Sequence, residues 1–349
     1  MKFQVDRKEL VAVLNSAKSF CTKKLREGIP NALLLCAEGA KLRITATDLE
    51  TTYAHLIPAE VEQEGSVIVD GKKISSLVKK LRRETVLFEL QDQLLDIRCG
   101  KASLDLETMP GEEYPATPSL GTGPLVNAAP LREALLATLP AASTDEARPV
   151  LSSILLGDEG SLVSTDGHRL HISPGETSIE KMLISRNGAA NLAKLLEKED
   201  KVLLLKEGEH LSVGTGDWRI FLRLVEGRSY PEWRRVVPGG NDLQFTVPRS
   251  EMLEVLALCK LVSSDVYLYF EGESLRIVSR EGSNSASESL SCEGSDTVSI
   301  KANAAYLEDA LNASQGDSVA FSLKDQNSPI RIDDEESGAY FIVMPMVFD

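Results

Sequence analysis

The sequence predicts an α+β protein made of three tandem copies of one unit, each with two helices packed on antiparallel sheet. Ile68, Ile184 and Ile300 recur at intervals of 116 residues, each just ahead of an amphipathic helical pattern. Tyr114-Pro115 returns 116 residues later as Tyr230-Pro231, and Thr47-Asp48 returns as Thr165-Asp166 at a spacing of 118. Arg7, Arg132 and Arg249 mark the starts of matching helical stretches, so one period of about a third of the 349 residues runs through the whole chain.

The first copy shows the programme in order. Leu10, Val13, Leu14 and Ala17 stand at i, i+3, i+4 and i+7 and predict a helix over 6–20. Alternating apolar and polar residues then predict strands over 32–37, 42–46, 53–57 and 66–69, with Glu38-Gly39 and Glu64-Gly65 as turns. A second helix over 71–83 buries Ile74, Leu77, Val78 and Leu81 and carries Lys72, Lys73, Lys79, Lys80, Arg82 and Arg83 on its other faces. Strands over 86–90, 94–98 and 102–106 follow. The later copies begin with helices over 131–139 and 249–260, and Gly121-Thr122-Gly123-Pro124 and Pro238-Gly239-Gly240-Asn241-Asp242 read as linkers. This sets domains at 1–120, 121–242 and 243–349. Each copy leaves strand edges, which pair with the next copy or with a second molecule to extend the sheet.

Composition bounds the function. The charged first ten residues exclude a signal peptide, no apolar run approaches the roughly 18 residues of a membrane span, and a cytoplasmic protein is expected. Five scattered cysteines, Cys21, Cys36, Cys99, Cys259 and Cys292, lack any CxxC spacing and predict reduced thiols rather than disulfides or zinc ligands. The net charge of −15 argues against general nucleic-acid affinity, but residues 1–117 hold 17 Lys and Arg against 18 Asp and Glu. Their net is −1, leaving −14 on the rest, so the first copy is the candidate for strong basic patches on an otherwise acidic body.

Ser164-Thr165-Asp166-Gly167-His168-Arg169-Leu170 combines a turn glycine, an imidazole and a guanidinium at the end of an apolar strand and is the candidate functional loop. Asp166, His168 and His171 admit a rival reading as metal ligands of a hydrolase, although no further ligand converges by spacing. Gly121-Thr122-Gly123 and Gly214-Thr215-Gly216 have no phosphate-loop context and read as turns. No catalytic residue, metal or cofactor is assigned.

The same segment resembles the TDGHRL segment of the bacterial sliding-clamp family, the beta subunits of DNA polymerase III. Thr45-Ala46-Thr47-Asp48-Leu49-Glu50, the run from Glu226 to Pro238, the C-terminal Val343-Met344-Pro345-Met346 and the opening Met1-Lys2-Phe3 are similar to that family's segments in the same order. The resemblance implies DNA-clamp domains and a head-to-tail homodimeric ring with sheets outside and helices lining a hole for double-stranded DNA. It implies a non-catalytic processivity factor whose partners are the polymerase III catalytic subunit, the clamp loader and other proteins carrying a clamp-binding motif; an accessory clamp with altered partners is the nearer alternative.

Carried over residue by residue, the resemblance implies a partner-peptide groove of Leu151, Thr165, Gly167, His168, Arg169, Leu170, Pro231, Arg235, Val236, Val343, Met344, Pro345 and Met346. Arg169 and Arg235 would fix polar groups of the peptide, and the unbranched Met344 and Met346 would adapt to different guests. It implies DNA contact by the helix 71–83 and by Lys24 and Arg26, and a dimer interface including Leu104, Leu106, Leu261 and Val262. The chain departs from the family in its loop from Lys24 to Pro30, in Val347 where a basic residue is usual, and in Pro149 and Val150 where the family has DNA-touching tyrosines.

Overall fold

The computed structural model describes residues 1–21, 31–117, 121–175, 179–227 and 229–348. Contacts divide the chain into two compact units, one of 1–126 with 201–223 and one of 127–200 with 224–349. The central repeat thus lends its strands over 201–223 to the first unit. The physical reason is the edge pairing that the repeat demands. Thr51–Pro58 of the first copy pairs antiparallel with Trp218–Arg223 of the second, and Arg169–Pro174 of the second pairs with Tyr340–Val343 of the third.

Six α-helices occur among the described residues, two per copy: α1 (Arg7–Ala17), α2 (Gly71–Lys80), α3 (Ala128–Thr138), α4 (Arg186–Leu195), α5 (Arg249–Cys259) and α6 (Ala304–Ala313). Local chemistry sets their starts. Asp6, Asp70, Ser185 and Asn303 each precede a helix in extended conformation and accept hydrogen bonds from its first free backbone N–H groups. α2 stops at Lys80, because Leu81 turns extended, so Arg82 and Arg83 stand beyond the helix rather than on it.

In the first unit a five-stranded sheet runs from Glu60–Gln63 through Lys2–Asp6 and Thr85–Gln91 to Leu94–Cys99 and the edge strand Ala102–Glu107. Lys2–Asp6 alternates half-buried and buried residues, and Phe3 stacks on Phe88 at 4.8 Å between ring centroids. A nine-stranded sheet continues into the strands lent by the central repeat. The α1 stripe of Leu10, Val13, Leu14 and Ala17 is buried as its spacing predicts.

In the second unit an eight-stranded sheet joins copies two and three, and a four-stranded sheet ends at the edge strand Asn284–Ser291. The third copy's core gathers Phe245, Phe270, Phe321 and Phe341 with the buried faces of α5 and α6. The repeat also survives in detail. Tyr114 donates its hydroxyl proton to the Thr45 carbonyl, and Tyr230 donates to the Val163 carbonyl, 118 residues on from Thr45. Among the described residues no helix is long and apolar enough to cross a membrane.

Candidate functional site: an apolar groove in the second unit

The turn after strand Ser161–Thr165 is built by its own side chains. Asp166 Oδ1 accepts from the His168 and Arg169 backbone N–H groups at 2.9 and 3.1 Å, and Thr165 Oγ1 accepts from Gly167 N at 3.1 Å while donating to the Arg169 carbonyl. Gly167 sits at φ +96, where a side chain is strained. The first copy repeats the turn: Asp48 Oδ1 accepts from Glu50 N and Thr51 N, and Leu49 takes the position of Gly167 at φ +77.

Beside this turn lies a cavity of about 280 Å³, lined by Leu151, Thr165, Gly167, Arg169, Leu170, Pro231, Glu232, Trp233, Val236, Ile342 and Met344. Three of its lining residues, Leu170, Trp233 and Ile342, belong to an apolar cluster with Leu155, Val163, Ile172 and Leu183. Of the residues carried over from the resemblance, the structure gathers Leu151, Thr165, Gly167, Arg169, Leu170, Pro231, Val236 and Met344 around the cavity. Val236 and Met344 remain 50% and 40% exposed at the cavity, which leaves their apolar surface available to a guest.

His168, Arg235, Val343, Pro345 and Met346 do not line the cavity. Strand alternation accounts for Val343: Tyr340–Val343 sends Ile342 to the groove, while Phe341 and Val343 enter the third copy's core. Beyond Met344, whose N–H bonds the His168 carbonyl, the chain leaves to pair Met346 with Lys301. Phe348 then packs edge-on against Tyr267 at 5.3 Å and Tyr269 at 6.3 Å. His168 and Arg235 are exposed near the rim. The sequence reading missed Glu232, Trp233 and Ile342; period-two alternation through Val343 was a signal for Ile342.

Arg169 is held by contacts within the chain. Its Nε donates to Asp166 Oδ2 at 3.0 Å, one terminal nitrogen to Asp309, and the other to the Pro140 carbonyl at 2.6 Å. Its guanidinium also lies 4.4 Å from the Tyr306 ring centre. The group is engaged in holding the turn against α6. Asp166, His168 and His171 do not converge as a metal site: His168 is exposed, whereas the His171 ring is buried edge-on to Phe341 with Nδ1 2.8 Å from the Ala137 carbonyl. Burial pushes the His171 pKa down to about 4. Among the described residues no group of three His, Cys, Asp or Glu side chains could hold a metal.

Family models for the DNA polymerase III beta subunit match the chain from end to end, the N-terminal domain at 1–118, the central domain at 126–232 and the C-terminal domain at 234–347. The chain belongs to the DNA polymerase III beta subunit family. The beta sliding clamp of Pseudomonas aeruginosa is 26% identical over 99% of this chain and all of that protein. A crystal structure of the Pseudomonas aeruginosa subunit superimposes with a TM-score of 0.91 at 25% identity, covering both chains completely. A Bartonella birtlesii sliding clamp bound to griselimycin matches equally, with a TM-score of 0.91 and 25% identity over all of both chains.

Lys72, Lys73, Lys79 and Lys80 are exposed on α2, opposite buried Ile74, Ser75 and Val78, and Arg82 and Arg83 are exposed just after it. Lys24 and Arg26 lie outside the described residues. Val150 packs against the groove cluster. Leu106 is buried and Leu104 half-buried on the edge strand Ala102–Glu107, Val262 is half-buried, and Leu261 is 83% exposed after α5. Cys99, Cys259 and Cys292 are buried, and all five cysteines are free.

Proposed function

We propose that the protein is a non-catalytic DNA sliding clamp: two copies close head to tail into a ring around duplex DNA, and the groove tethers the polymerase III catalytic subunit and other motif-bearing proteins. The observation that carries the tethering role is the apolar groove of about 280 Å³, rimmed by the exposed Val236 and Met344. Ring closure is supported by Ala102–Glu107 and Asn284–Ser291, each the outer strand of its sheet among the described residues, and by the exposed Leu261, since such edges and patches ask for a partner. The lysines of α2 supply phosphate contacts without base readout, which suits a ring that must slide.

The test of tethering is binding of the purified polymerase III catalytic subunit to the immobilised clamp. Replacing Met344 or Ile342 by Ala should weaken it by about 1–3 kcal/mol, as for buried anchors of an interface. Wild-type affinity in both variants would place the partner site elsewhere.

A further inference from the structure

Trp233 and Arg234 belong to the short 3-10 turn Trp233–Val236 that walls the groove, and a single carboxylate across from them holds both. Asp158 Oδ2 accepts from Trp233 Nε1 at 2.9 Å and from an Arg234 terminal nitrogen at 2.7 Å, while Lys181 Nζ reaches Oδ1 at 3.0 Å. Arg234 in turn lies 4.3 Å over the Trp233 ring and donates to Glu159 at 2.8 Å.

The backbone is shaped to aim this carboxylate. Leu155 faces Val163 in the strand pair, yet Asp158 faces Ser161, so one extra residue is accommodated between them. Regular alternation from Leu155 would send residue 158 to the sheet face opposite the groove; the bulge returns it to the groove face, the re-aiming that bulges perform near functional sites. Gly157 adopts φ +71 there, and a Cβ on it would stand 2.3 Å from the Ile179 carbonyl oxygen, so the bulge requires glycine. Asp158 is only 7% exposed. Burial opposes its charge, but hydrogen bonds from Lys181, Trp233 and Arg234 outweigh that and hold the carboxyl below the usual range.

We propose that Asp158 is a positioning residue of the partner groove: it fixes the Trp233 indole and the 3-10 turn in the orientation that admits an apolar side chain of the polymerase subunit. The assignment rests on the groove being the partner site, and a double-mutant cycle separates the two. Affinity for the polymerase III catalytic subunit is measured for Asp158→Ala, Trp233→Phe and the double variant, with Met344→Ala as a control and thermal melting as a check of folding. Both single changes should cost about tenfold, and the double variant about tenfold rather than a hundredfold, because each breaks the same contact. With Trp218→Phe in the background, Trp233 emission should shift to the red in Asp158→Ala.

Multiplicative losses, or wild-type affinity of Asp158→Ala while Met344→Ala is weakened, would overturn the positioning role. Wild-type affinity of Met344→Ala itself would instead refute the groove as partner site. If Asp158→Ala does not fold, Asp158→Asn decides, since it keeps an acceptor for the indole but not the charge that holds Arg234 and Lys181. It should bind about threefold more weakly than wild type and more tightly than Trp233→Phe; binding equal to wild type would overturn the role.

Discussion

Replacing Leu261 by Ala isolates ring closure from folding. In one copy the side chain is 83% exposed, so it contributes little to the stability of that copy, and a surface change of this kind shifts stability by no more than about 0.5 kcal/mol. If the residue is covered when two copies meet, shortening it removes about 2 kcal/mol of burial at full coverage and about 1 kcal/mol at half coverage. A head-to-tail pair contains the contact twice. The dimer dissociation constant should therefore rise between about 30-fold and about 1,000-fold, at about 1.4 kcal/mol per power of ten. Sedimentation velocity over a dilution series measures this against the 38.0 kDa monomer, with thermal melting as the control. An unchanged dissociation constant would refute the interface, and a wild-type protein that is monomeric at micromolar concentration would refute closure altogether.

Truncation after Val343 removes Met344 from the groove and the Phe348 contact with Tyr267, and should cost at least about 2 kcal/mol in binding of the polymerase subunit while leaving the dimer intact, as read by surface plasmon resonance and sedimentation. Asp70→Ala leaves Lys72 N and Lys73 N without their cap and should lower stability by about 1 kcal/mol in denaturant unfolding. Asp334 is buried, which opposes its charge, but bonds from Ser337, Gln315 N, Gly316 N and Glu336 N hold its pKa below the usual value. Its folded pKa is depressed, so its stabilisation is present above the unfolded value near 4 and fades as pH falls through the folded one. Asp334→Ala should cost roughly 2–3 kcal/mol at pH 7, and the deficit should shrink on acidification below pH 4, as followed by chemical denaturation.

The repeat made most of the fold legible. Spacings of 116 and 118 located equivalent helices and turns, and the period-3.6 stripe of Leu10, Val13, Leu14 and Ala17 marked a face that is buried. Strand Lys2–Asp6 is not legible in the sequence, because five residues next to a helix cap carry too short a pattern to separate from the helix itself. α2 is shorter than its apolar spacing predicts, because Leu81 continues that spacing although its backbone is already extended. In the groove, the contiguous run Val343 to Met346 hid the alternation that selects Ile342 and Met344. The commitment of Arg169 to Asp309 and Pro140 was not legible, since those partners are 140 and 29 residues away in sequence.

If two copies close into the proposed ring, the protein holds DNA by enclosing it. Contacts between lysines and phosphates weaken by powers of ten as salt rises, whereas a closed ring on a circle has no end to leave by. The direct measurement loads the protein with its clamp loader onto a nicked, bead-bound circle, washes at high salt, and compares retention before and after the circle is cut. Retention on the circle and release on linearisation are predicted. Replacing Lys72, Lys73, Lys79 and Lys80 by Ala should slow loading without abolishing release at ends. Equal retention on circular and linear DNA at matched salt would rule out enclosure.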